Sequence, residues 1–413
     1  MKITILSDSV FIPTGYRNQA LQLAQYLTKQ GHEVHYLANA YNGMTLKSAT
    51  LFDDTVCNFN IYGEMQHSYF QHTMSEIIKR TMSDIFFILL DTFMLHGPDA
   101  WFLRVDTSPA RTFFWFPTDG GGGLPIGCAN ILKKIENPVA MSQFGQKQVK
   151  EYHDIEIPFI PHGVNRKIFF RLPEEQRLEL KKKYGLQDKF VIGVVARNQP
   201  RKHLDRTLKT MRLLKDKIPE AVLFFHLDPD DPAQPLWKIK SLIQKFGLEN
   251  RCIFTGMKAH HGFPASQMNE IYNVMDIFFL TTSGEGFGIP TIEAMACGIP
   301  VVATNYTTTP ELVMHNNAGF GVNLVGIENI DLFKLHSKDY DEQVQSGTIT
   351  GSWEVERGIM DVNDAASKIF ALYQDPGLRE NMGQNGIRAV EAKYDFEKHV
   401  APEFEKMFME AVK

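Results

Sequence analysis

The 413-residue sequence contains little cysteine, and no two cysteines stand at metal-ligand spacing. Its four cysteines, Cys57, Cys128, Cys252 and Cys297, are far apart and form no Cys-x-x-Cys motif. Disulfide-rich domains and structural zinc sites both need several closely spaced cysteines. We therefore expect neither in this protein, and a reducing compartment fits the composition best.

Long apolar runs are also missing. The longest run, residues 85–90, is far shorter than the roughly 20 residues that cross a bilayer as a helix. The apolar start of the chain ends at Ser7-Asp8-Ser9, which is too early for a signal peptide. These absences predict a cytoplasmic protein without a transmembrane helix, and they leave open a peripheral contact with the inner face of a membrane.

The sequence has no large excess of charge of either sign. Its net charge of −5 gives no overall attraction to nucleic acid, so we expect no nucleic-acid partner. Hydrophobic residues make up 44% and charged residues 22% of the chain, as in an ordinary folded protein. A chain of 413 residues exceeds one compact core and suggests two domains of roughly 200 residues each.

Strand and helix patterns alternate along most of the chain. In the first half, short β-prone runs at 2–6, 34–38, 84–90, 112–116 and 139–142 are separated by helical or irregular segments. The alternation restarts at 190–195 and continues with strands at 222–226, 252–255, 277–280 and 301–303. Such repeated βαβ units predict two α/β domains, each with a doubly wound, Rossmann-like parallel sheet.

The two alternating regions define the predicted domains. Residues 166–188 are charged and helical without a strand signal, so the interdomain link is expected near them. We predict an N-terminal domain at 1–170 and a C-terminal domain at 171–390. The C-terminal third is helical, and its last helix, at 391–413, could cross back to the N-terminal domain.

The segment from Ser283 to Pro300 carries the clearest functional signal. It follows an apolar strand, contains several glycines and opens a helix. Ligands of open parallel sheets bind at the carboxyl ends of strands, and the amides at a helix N-terminus attract anions. Glu285 lies in the turn and Glu293 in the helix. Two carboxylates at such a place suit hydrogen bonds to the hydroxyl groups of a sugar or a ribose.

This segment resembles the glutamate–seven–glutamate motif of retaining glycosyltransferase family 4, also called the group 1 glycosyltransferases. Glu285 and Glu293 have the spacing of that motif. The resemblance extends to the loop from Ala196 to Lys202, where the family has an arginine and a lysine, and to the linking motif at 160–165. It covers the second half strongly and the first half loosely. It implies the GT-B fold, in which two Rossmann-like domains face a cleft.

The resemblance also implies roles for the charged residues of the second domain. Glu285 would bind the donor sugar near its 3-hydroxyl, and Glu293 would bind the ribose hydroxyls. Arg197 and Lys202 would stabilise the charge of the departing nucleoside diphosphate, as a metal ion does in other transferases. The family retains the anomeric configuration, and the leaving phosphate is the usual candidate for the proton acceptor.

The remaining donor contacts are also implied by the resemblance. The backbone of Gly286, Phe287 and Gly288 would meet the sugar and the phosphates, and Met257 and Lys258 would meet the base. The expected substrate is a nucleotide-diphosphate sugar of the UDP or GDP type, with no separate cofactor. The acceptor would be a glycan, a lipid-linked molecule or a small hydroxyl compound.

The first domain departs from the family pattern at two places. Tyr16 follows Gly15 where relatives have a second glycine, although Gly15 could still bring backbone amides to the diphosphate. Many relatives have a histidine after the strand at 112–116, and this chain has Asp119 nearby instead. Asp119 could contact the donor sugar or the acceptor, or it could cap the glycine run that follows. We expect structural roles for His96 and His162.

Two patterns that suggest metal binding are better explained as loops. Asp228-Pro229-Asp230 matches the Asp-x-Asp metal motif of a different transferase fold, but a proline between two aspartates is ordinary turn chemistry. The pair His260–His261 has no further ligands at zinc spacing. We therefore predict no metal.

A third departure from the family pattern is Thr307-Thr308-Thr309, which stands where relatives often have a glycine pair.

Several other functions fit a two-domain α/β chain less well. A phosphorylase needs a longer chain and a lysine for pyridoxal phosphate, and a sugar-nucleotide epimerase lacks the Glu285 segment. A dehydrogenase needs a Gly-x-Gly-x-x-Gly loop, which is absent from the first loop. A non-catalytic nucleotide-sugar or glycan-binding protein stays open as an alternative, although Glu285, Glu293, Arg197 and Lys202 together favour an enzyme.

Overall fold

The computed structural model describes residues 1–51, 53–65, 69–96, 100–230, 237–258, 262–331 and 353–413. The chain divides into two compact units. Unit 1 contains Met1–His162, Asn329–Glu356 and Phe396–Lys413, and unit 2 contains Gly163–Glu328 and Arg357–Asp395. Unit 2 therefore begins at Gly163, before the boundary expected at residue 170. Among the described residues of Asn329–Glu356, Trp353 is buried in the hydrophobic core of unit 1.

Unit 1 is built on a six-stranded parallel sheet with the order β5-β2-β1-β6-β7-β8. Its strands are β1 (Lys2–Asp8), β2 (Glu33–Asn39), β3 (Ala49–Thr50), β4 (Val56–Cys57), β5 (Asn60–Tyr62), β6 (Ile85–Leu89), β7 (Arg111–Phe116) and β8 (Asn137–Ala140), of which β3 and β4 form a separate antiparallel pair. Its helices are α1 (Gly15–Lys29), α2 (Met74–Thr81), α3 (Thr92–His96), α4 (Ile126–Lys134), α5 (Gln143–His153) and the last helix of the chain, α13 (Ala401–Ala411). A 3₁₀ turn, Trp101–Arg104, and a π-helical turn, Phe396–Val400, complete this unit.

Apolar packing fixes the helices of unit 1 on its sheet. Helix α1 begins where the side chain of Thr14 accepts a hydrogen bond from the Arg17 amide, which satisfies one free donor of the first turn. At the other end of the chain, the Phe404 ring of α13 lies 5.1 Å from that of Phe87 in β6. The residues 396–413 are thus held in unit 1 by aromatic packing on the sheet, whereas 391–395 group with unit 2.

Unit 2 contains a second six-stranded parallel sheet, with the order β11-β10-β9-β12-β13-β14. The strands in this part of the chain are β9 (Phe190–Val195), β10 (Ala221–His226), β11 (Cys252–Phe254), β12 (Ile277–Leu280), β13 (Val301–Thr304), β14 (Gly319–Val322), β15 (Leu324–Asp331) and β16 (Glu354–Met360). Strands β15 and β16 form a separate two-stranded sheet, and one boundary between the units falls within each of them. The helices are α6 (Glu174–Lys183), α7 (Leu204–Leu214), α8 (Ile239–Phe246), α9 (Ala265–Asn273), α10 (Ile289–Ala296), α11 (Val362–Gln374) and α12 (Pro376–Ala389). Short 3₁₀ turns occur at Pro200–Lys202 and Glu249–Arg251, and π-helical turns at Pro310–Met314 and Val390–Tyr394.

The central strands of unit 2 are buried along their whole length. Every residue of β9, β10, β12 and β13 is buried, as expected for parallel strands that are covered on both faces. This burial on both faces explains why the sequences of these strands are continuous apolar runs. The prediction of two Rossmann-like domains with parallel sheets is confirmed.

Both sheets share one strand order, in which the third, second and first strands are followed by the fourth, fifth and sixth. The order reverses between the first and fourth strands, which are β1 and β6 in unit 1 and β9 and β12 in unit 2. Ligands of such sheets bind beyond the carboxyl ends of the strands at this switch point. The loops after β9 and β12 are therefore the first place to look for a site in unit 2. Among the described residues, no helix combines the length and the apolar character that a membrane span requires.

Candidate functional site

A buried glutamate lies at the switch point of unit 2. Glu285 is 7% exposed and belongs to the turn between β12 and α10. Its carboxylate contacts two cations from the loop after β9: Nη1 of Arg201 donates to Oε2 over 2.7 Å, and Nζ of Lys202 donates to Oε1. Nη1 of Arg201 also donates to the Gly284 carbonyl over 3.1 Å. The two loops thus place two positive charges and one negative charge at the carboxyl edge of the sheet.

The two cations control the ionisation of Glu285. Burial alone would raise the pKa of its carboxyl group, but the charges of Arg201 and Lys202 and their hydrogen bonds outweigh burial and lower the pKa to about 2. At neutral pH this side chain is therefore a carboxylate, which can only accept hydrogen bonds. Lys202 is itself 8% exposed, so its charge is carried by a largely desolvated group.

Hydroxyl side chains hold the cationic loop in place. Oγ1 of Thr281 donates to the Lys202 carbonyl over 2.7 Å. Ser283 contacts the Arg201 carbonyl twice, through its amide at 2.6 Å and its hydroxyl at 3.0 Å. Since Thr281 and Ser283 follow β12 directly, the short 3₁₀ turn Pro200–Lys202 is fastened to the segment that carries Glu285.

The turn that follows Glu285 brings backbone close to the edge of the sheet. Gly286, Phe287 and Gly288 are all buried, and Gly288 has a φ of +99°, a conformation that favours glycine. Gly288 also lies at the N-cap position of α10. These three residues therefore combine a close backbone approach with a helix N-terminus, the combination that attracts an anion.

The second glutamate of the motif has a different environment. Glu293 lies in α10, and Oε2 of its carboxylate accepts a 2.6 Å hydrogen bond from the hydroxyl of Tyr272 in α9. Burial raises the pKa of Glu293 to about 7, although the Tyr272 hydrogen bond acts in the opposite direction. Tyr272 is completely buried, and its ring packs edge-on against Phe278 of β12. One carboxylate oxygen is thus oriented by a rigid donor.

Met257 and Lys258 lie in the loop after β11. The loop turns at Gly256, whose φ is +78°. Met257 is buried, while the Lys258 side chain is half-exposed and its Nζ lies 3.7 Å from Oδ1 of Asp228. The same Asp228 oxygen accepts a 3.1 Å hydrogen bond from the Asp230 amide, which is the turn chemistry expected for this Asp-Pro-Asp segment.

Arg197 occupies an exposed position in the loop after β9. The arginine that contacts Glu285 beside Lys202 is Arg201, because the 3₁₀ turn begins at Pro200 and directs both following side chains toward the glutamate. The described residues contain no group of three or more potential metal-ligating side chains. His260–His261 lies outside the described residues.

The predicted residues of the first domain gather at the switch point of unit 1. Gly15 is exposed and begins α1, and the hydroxyl of its neighbour Tyr16 donates to Oδ1 of Asp91 over 2.6 Å. Asp119 is half-buried after β7. Burial, with added effects of Asp91, Asp119 and Asp8, raises the pKa of Tyr16 well above its ordinary value. This edge is thus rich in carboxylates.

Two histidines of unit 1 pack against tryptophans. The His162 ring is 1% exposed, and its centroid lies 4.1 Å from that of Trp115. Burial lowers the pKa of His162 to about 3, so the ring is neutral at physiological pH. The His96 ring lies edge-on to Trp353 at 4.9 Å. These contacts agree with the structural roles expected for both histidines.

Three contacts of the site, made by Arg201, Tyr272 and Thr307, were not predicted from the sequence. Arg201 stands beside Lys202, and the doublet of two cations was a signal that pointed to it. Tyr272 lies in an ordinary amphipathic helix, 21 residues before Glu293, and no local pattern marks it. Thr307 accepts a hydrogen bond from the Glu285 amide at 3.0 Å, a contact that only the fold brings together.

Comparison with known proteins connects this geometry to a family. Residues 176–328 match the family described as Glycosyl transferases group 1. This stretch contains Arg197, Arg201, Lys202, Glu285 and Glu293.

Two curated relatives resemble the same part of the chain. The serotype-specific mannosyltransferase WbdA of Escherichia coli is 30% identical over 189 residues, which cover 44% of this chain and 22% of that protein. A GDP-mannose-dependent alpha-(1-6)-phosphatidylinositol monomannoside mannosyltransferase of Mycolicibacterium smegmatis is 28% identical over 178 residues, 41% of this chain and 44% of the relative. The matches thus span less than half the length of either relative.

A solved structure resembles nearly the whole chain. Sucrose-phosphate synthase from Thermosynechococcus elongatus has a TM-score of 0.74 and 15% identity, covering 99% of this chain and 98% of its own. At this identity the likeness concerns the fold. Residues 176–328 thus match the group 1 glycosyltransferase family, in line with the resemblance of the glutamate motif, and the chain has the GT-B fold.

Proposed function

We propose that this protein transfers a sugar from a nucleoside-diphosphate sugar to a hydroxyl group of an acceptor, with retention of the anomeric configuration and without a metal ion. One observation carries the proposal: a buried carboxylate, Glu285, lies between the cations Arg201 and Lys202 at the switch point of a parallel sheet. A nucleotide sugar needs both parts, since cations bind the diphosphate and a carboxylate binds sugar hydroxyls.

Donor binding exchanges the partners of the charged groups. The diphosphate takes over Arg201 and Lys202, with Arg197 as a further cation from the same loop. Glu285 then turns its acceptor oxygens to the hydroxyls of the sugar. Its low pKa in the ligand-free protein means that it meets the donor as a carboxylate. The buried amides of Gly286, Phe287 and Gly288 offer further donors to the phosphates or the sugar.

The same charges stabilise the departing group during transfer. As the bond between the anomeric carbon and the phosphate oxygen breaks, negative charge grows on the nucleoside diphosphate, and desolvated cations stabilise that charge better than solvated ones. The acceptor hydroxyl attacks from the face that the phosphate leaves, and its proton passes to a phosphate oxygen. A new glycosidic bond replaces the donor bond, and the nucleoside diphosphate carries the proton away.

The remaining donor contacts are proposed from the resemblance to the family. Glu293 binds the ribose hydroxyls, with one carboxylate oxygen fixed by Tyr272. Met257 and Lys258 contact the base after the turn at Gly256. We propose GDP-mannose as the first donor to test, because the two curated relatives are named as mannosyltransferases and one is named as GDP-mannose-dependent. The UDP sugars are the second group.

Unit 1 is proposed to bind the acceptor. Asp119 and the carboxylates around Tyr16 are hydrogen-bond acceptors suited to the hydroxyls of a glycan, a lipid-linked molecule or a small polyol. A cytoplasmic location, with peripheral membrane contact for a lipid-linked acceptor, stays a prediction from the sequence.

A panel of nucleotide sugars tests the proposal. Purified protein is heated with GDP-mannose, UDP-glucose, other nucleotide sugars, GDP and UDP, and a bound donor raises the melting temperature by mass action. The donor that binds is then supplied with candidate acceptors, and the anomeric configuration of the product is read by NMR, with and without EDTA. A retained configuration in EDTA supports the proposal. Binding without turnover would favour a non-catalytic binding protein. An epimerised donor sugar would favour an epimerase. The absence of a response to any nucleotide would reject nucleotide-sugar binding.

A further inference from the structure

The loop after β13 contains threonines where the family resemblance places a glycine pair. Thr307 has a φ of +47°, in the left-handed region. A β-branched side chain is disfavoured there by roughly 1–2 kcal/mol, so a residue of this kind persists only when its surroundings hold it. Thr307 and Thr308 are 7% and 2% exposed. Two buried side chains with hydroxyl groups thus stand where the family resemblance places two glycines, which have no side chain.

Both hydroxyls bind the backbone of the turn that carries Glu285. Oγ1 of Thr307 accepts a 3.0 Å hydrogen bond from the Glu285 amide. Oγ1 of Thr308 donates to the Phe287 carbonyl over 2.7 Å. The two bonds flank Gly286, a glycine that has no side chain to restrict its backbone. A glycine pair at 307 and 308 could make neither bond.

These contacts have a direct consequence for the carboxylate. The Glu285 amide is engaged within the protein, so anion binding at this turn falls to other amides. More importantly, the backbone of Glu285 is fixed to the loop after β13, while its side chain is held by Arg201 and Lys202 only until another anion takes those cations. Once the cations are engaged elsewhere, the Thr307 bond to the Glu285 amide and the Thr308 bond to the Phe287 carbonyl still hold the backbone of the turn at and after Glu285.

We propose that Thr307 and Thr308 are positioning residues for Glu285 in the donor complex. The inference rests on the proposed function, because it concerns the moment at which a diphosphate occupies the cations. The threonines then keep the carboxylate where it meets the sugar. Through Glu285 the threonines affect the binding of the sugar, and they have little effect on the binding of the diphosphate. A misplacement of about 1 Å in a catalytic group can lower a rate roughly 100-fold, so we expect turnover to fall by about 10- to 100-fold without them.

The experiment removes each hydroxyl while keeping the shape of its side chain. Thr307→Val and Thr308→Val keep the β-branch, and Thr307→Ser and Thr308→Ser keep the hydroxyl. Thr304→Val is the matched control: Thr304 ends β13, is completely buried, and its hydroxyl has no hydrogen-bond partner among the described residues. Thr307→Gly, which relieves the left-handed backbone, covers the case in which a valine variant fails to fold.

Two readouts separate the contact from its role. Hydrogen exchange of the peptide that contains residues 283–288, measured without ligand, should accelerate in Thr307→Val and stay unchanged in Thr304→Val, because the Glu285 amide loses its acceptor. The role in the donor complex is measured by kcat and by the ratio of the affinity for a nucleotide sugar to the affinity for its nucleoside diphosphate. We expect Thr307→Val and Thr308→Val to lose about 10-fold in the sugar-dependent part of affinity and to keep nucleoside-diphosphate affinity. The serine variants should recover most of the loss.

The possible outcomes are distinct. If Thr307→Gly unfolds at a temperature no lower than Thr307→Val yet has lost turnover, the threonine orients Glu285 and is not merely a stabilising residue. If both valine variants match Thr304→Val in kcat and in the affinity ratio, the inference is overturned while the proposed function stands. If the wild type binds no nucleotide, the proposed function fails and the role of the threonines in donor binding fails with it. In that case the exchange rates still show whether Thr307 protects the Glu285 amide.

Discussion

The two units have the same strand order and opposite charge at their switch points. In unit 2, two cations contact one carboxylate, since Arg201 and Lys202 both bind Glu285. In unit 1, carboxylates face hydroxyl groups: Asp91 accepts a hydrogen bond from the Tyr16 hydroxyl, and Asp8 accepts one of 2.5 Å from Thr14. One backbone topology thus carries two kinds of polar edge.

This contrast teaches that the sheet supplies the position and the loop residues supply the chemistry. The cations of unit 2 suit a diphosphate, which carboxylates would repel. The carboxylates of unit 1 suit neutral hydroxyl groups, to which they can only be acceptors. The proposal that the donor binds unit 2 and the acceptor binds unit 1 is based on these charges. It can be tested by changing one charge or one hydrogen bond at a time in each unit.

The largest effect is expected from removing a cation of unit 2. Lys202→Met should lower the affinity for GDP or UDP, whichever the wild type binds, by roughly 100-fold, because a desolvated charge-assisted contact is lost. It should also lower the free energy of unfolding by about 3 kcal/mol, since Glu285 stays buried with one cation fewer. Calorimetric titration and urea unfolding measure the two changes.

The matched variant lies in unit 1. Asp91→Asn removes a charge from the equivalent edge and should leave nucleoside-diphosphate affinity within about twofold of the wild type, since all the proposed diphosphate contacts come from unit 2. An equal loss in Lys202→Met and Asp91→Asn would break the comparison, because it would mean that both edges take part in binding the diphosphate.

The next effect concerns acid stability. The pKa of Glu285 is about 2 in the folded protein and 4.5 in its ordinary state, so the group stabilises the fold above pH 4.5, and that contribution is lost as the pH falls through 2. The shift corresponds to about 3 kcal/mol. In Glu285→Gln, the decline of the free energy of unfolding between pH 4.5 and 2.5 should become shallower than in the wild type. Parallel curves for both proteins would contradict the assigned ion pairs.

The sequence predicts much of this arrangement and misses a definable part. The parallel sheets are predictable because buried strands such as β9 are apolar throughout, and the spacing of Glu285 and Glu293 indicates the family. Contacts across the fold are different. Arg201 and Glu285 form a hydrogen bond although they are 84 residues apart in the sequence. Trp353 is buried in the core of unit 1 although the sequence predicts it to lie in the second domain. Such pairings depend on how the loops are brought together, which no local pattern records.

The third effect compares two tyrosines that each donate a hydrogen bond to a carboxylate. Tyr272 donates to Glu293 in unit 2 and Tyr16 donates to Asp91 in unit 1, both over 2.6 Å. The pKa of Glu293 is raised to about 7, so the folded protein takes up a proton there as the pH falls through about 7. In Tyr272→Phe the hydrogen bond that lowers this pKa is lost. The pH at which donor affinity changes should therefore move upward, and affinity at pH 7 should fall about 5- to 10-fold, the net contribution of one typical hydrogen bond.

Tyr16→Phe is the counterpart of that variant. It should leave the pH profile of donor affinity unchanged and raise the KM for the acceptor instead. Donor affinities measured from pH 5.5 to 8.5 decide the point. If both variants shift the donor profile equally, the two hydrogen bonds do not serve separate substrates. If neither does, Tyr272 holds the helix packing and has no bearing on Glu293 as a ligand.

The smallest effect is expected at Asp119, which is half-buried on the carboxylate-rich edge of unit 1. Asp119→Asn keeps the size and one hydrogen-bond acceptor, and it removes a charge that contributes, after burial and Asp91, to the raised pKa of Tyr16. We expect a change of about two- to fivefold in the KM for the acceptor, and donor affinity within twofold, because a half-exposed charge is well screened. Initial rates with either substrate varied separate the two constants. A loss of donor affinity larger than the acceptor effect would place Asp119 against the donor sugar, and the charge contrast between the units would then no longer divide donor from acceptor.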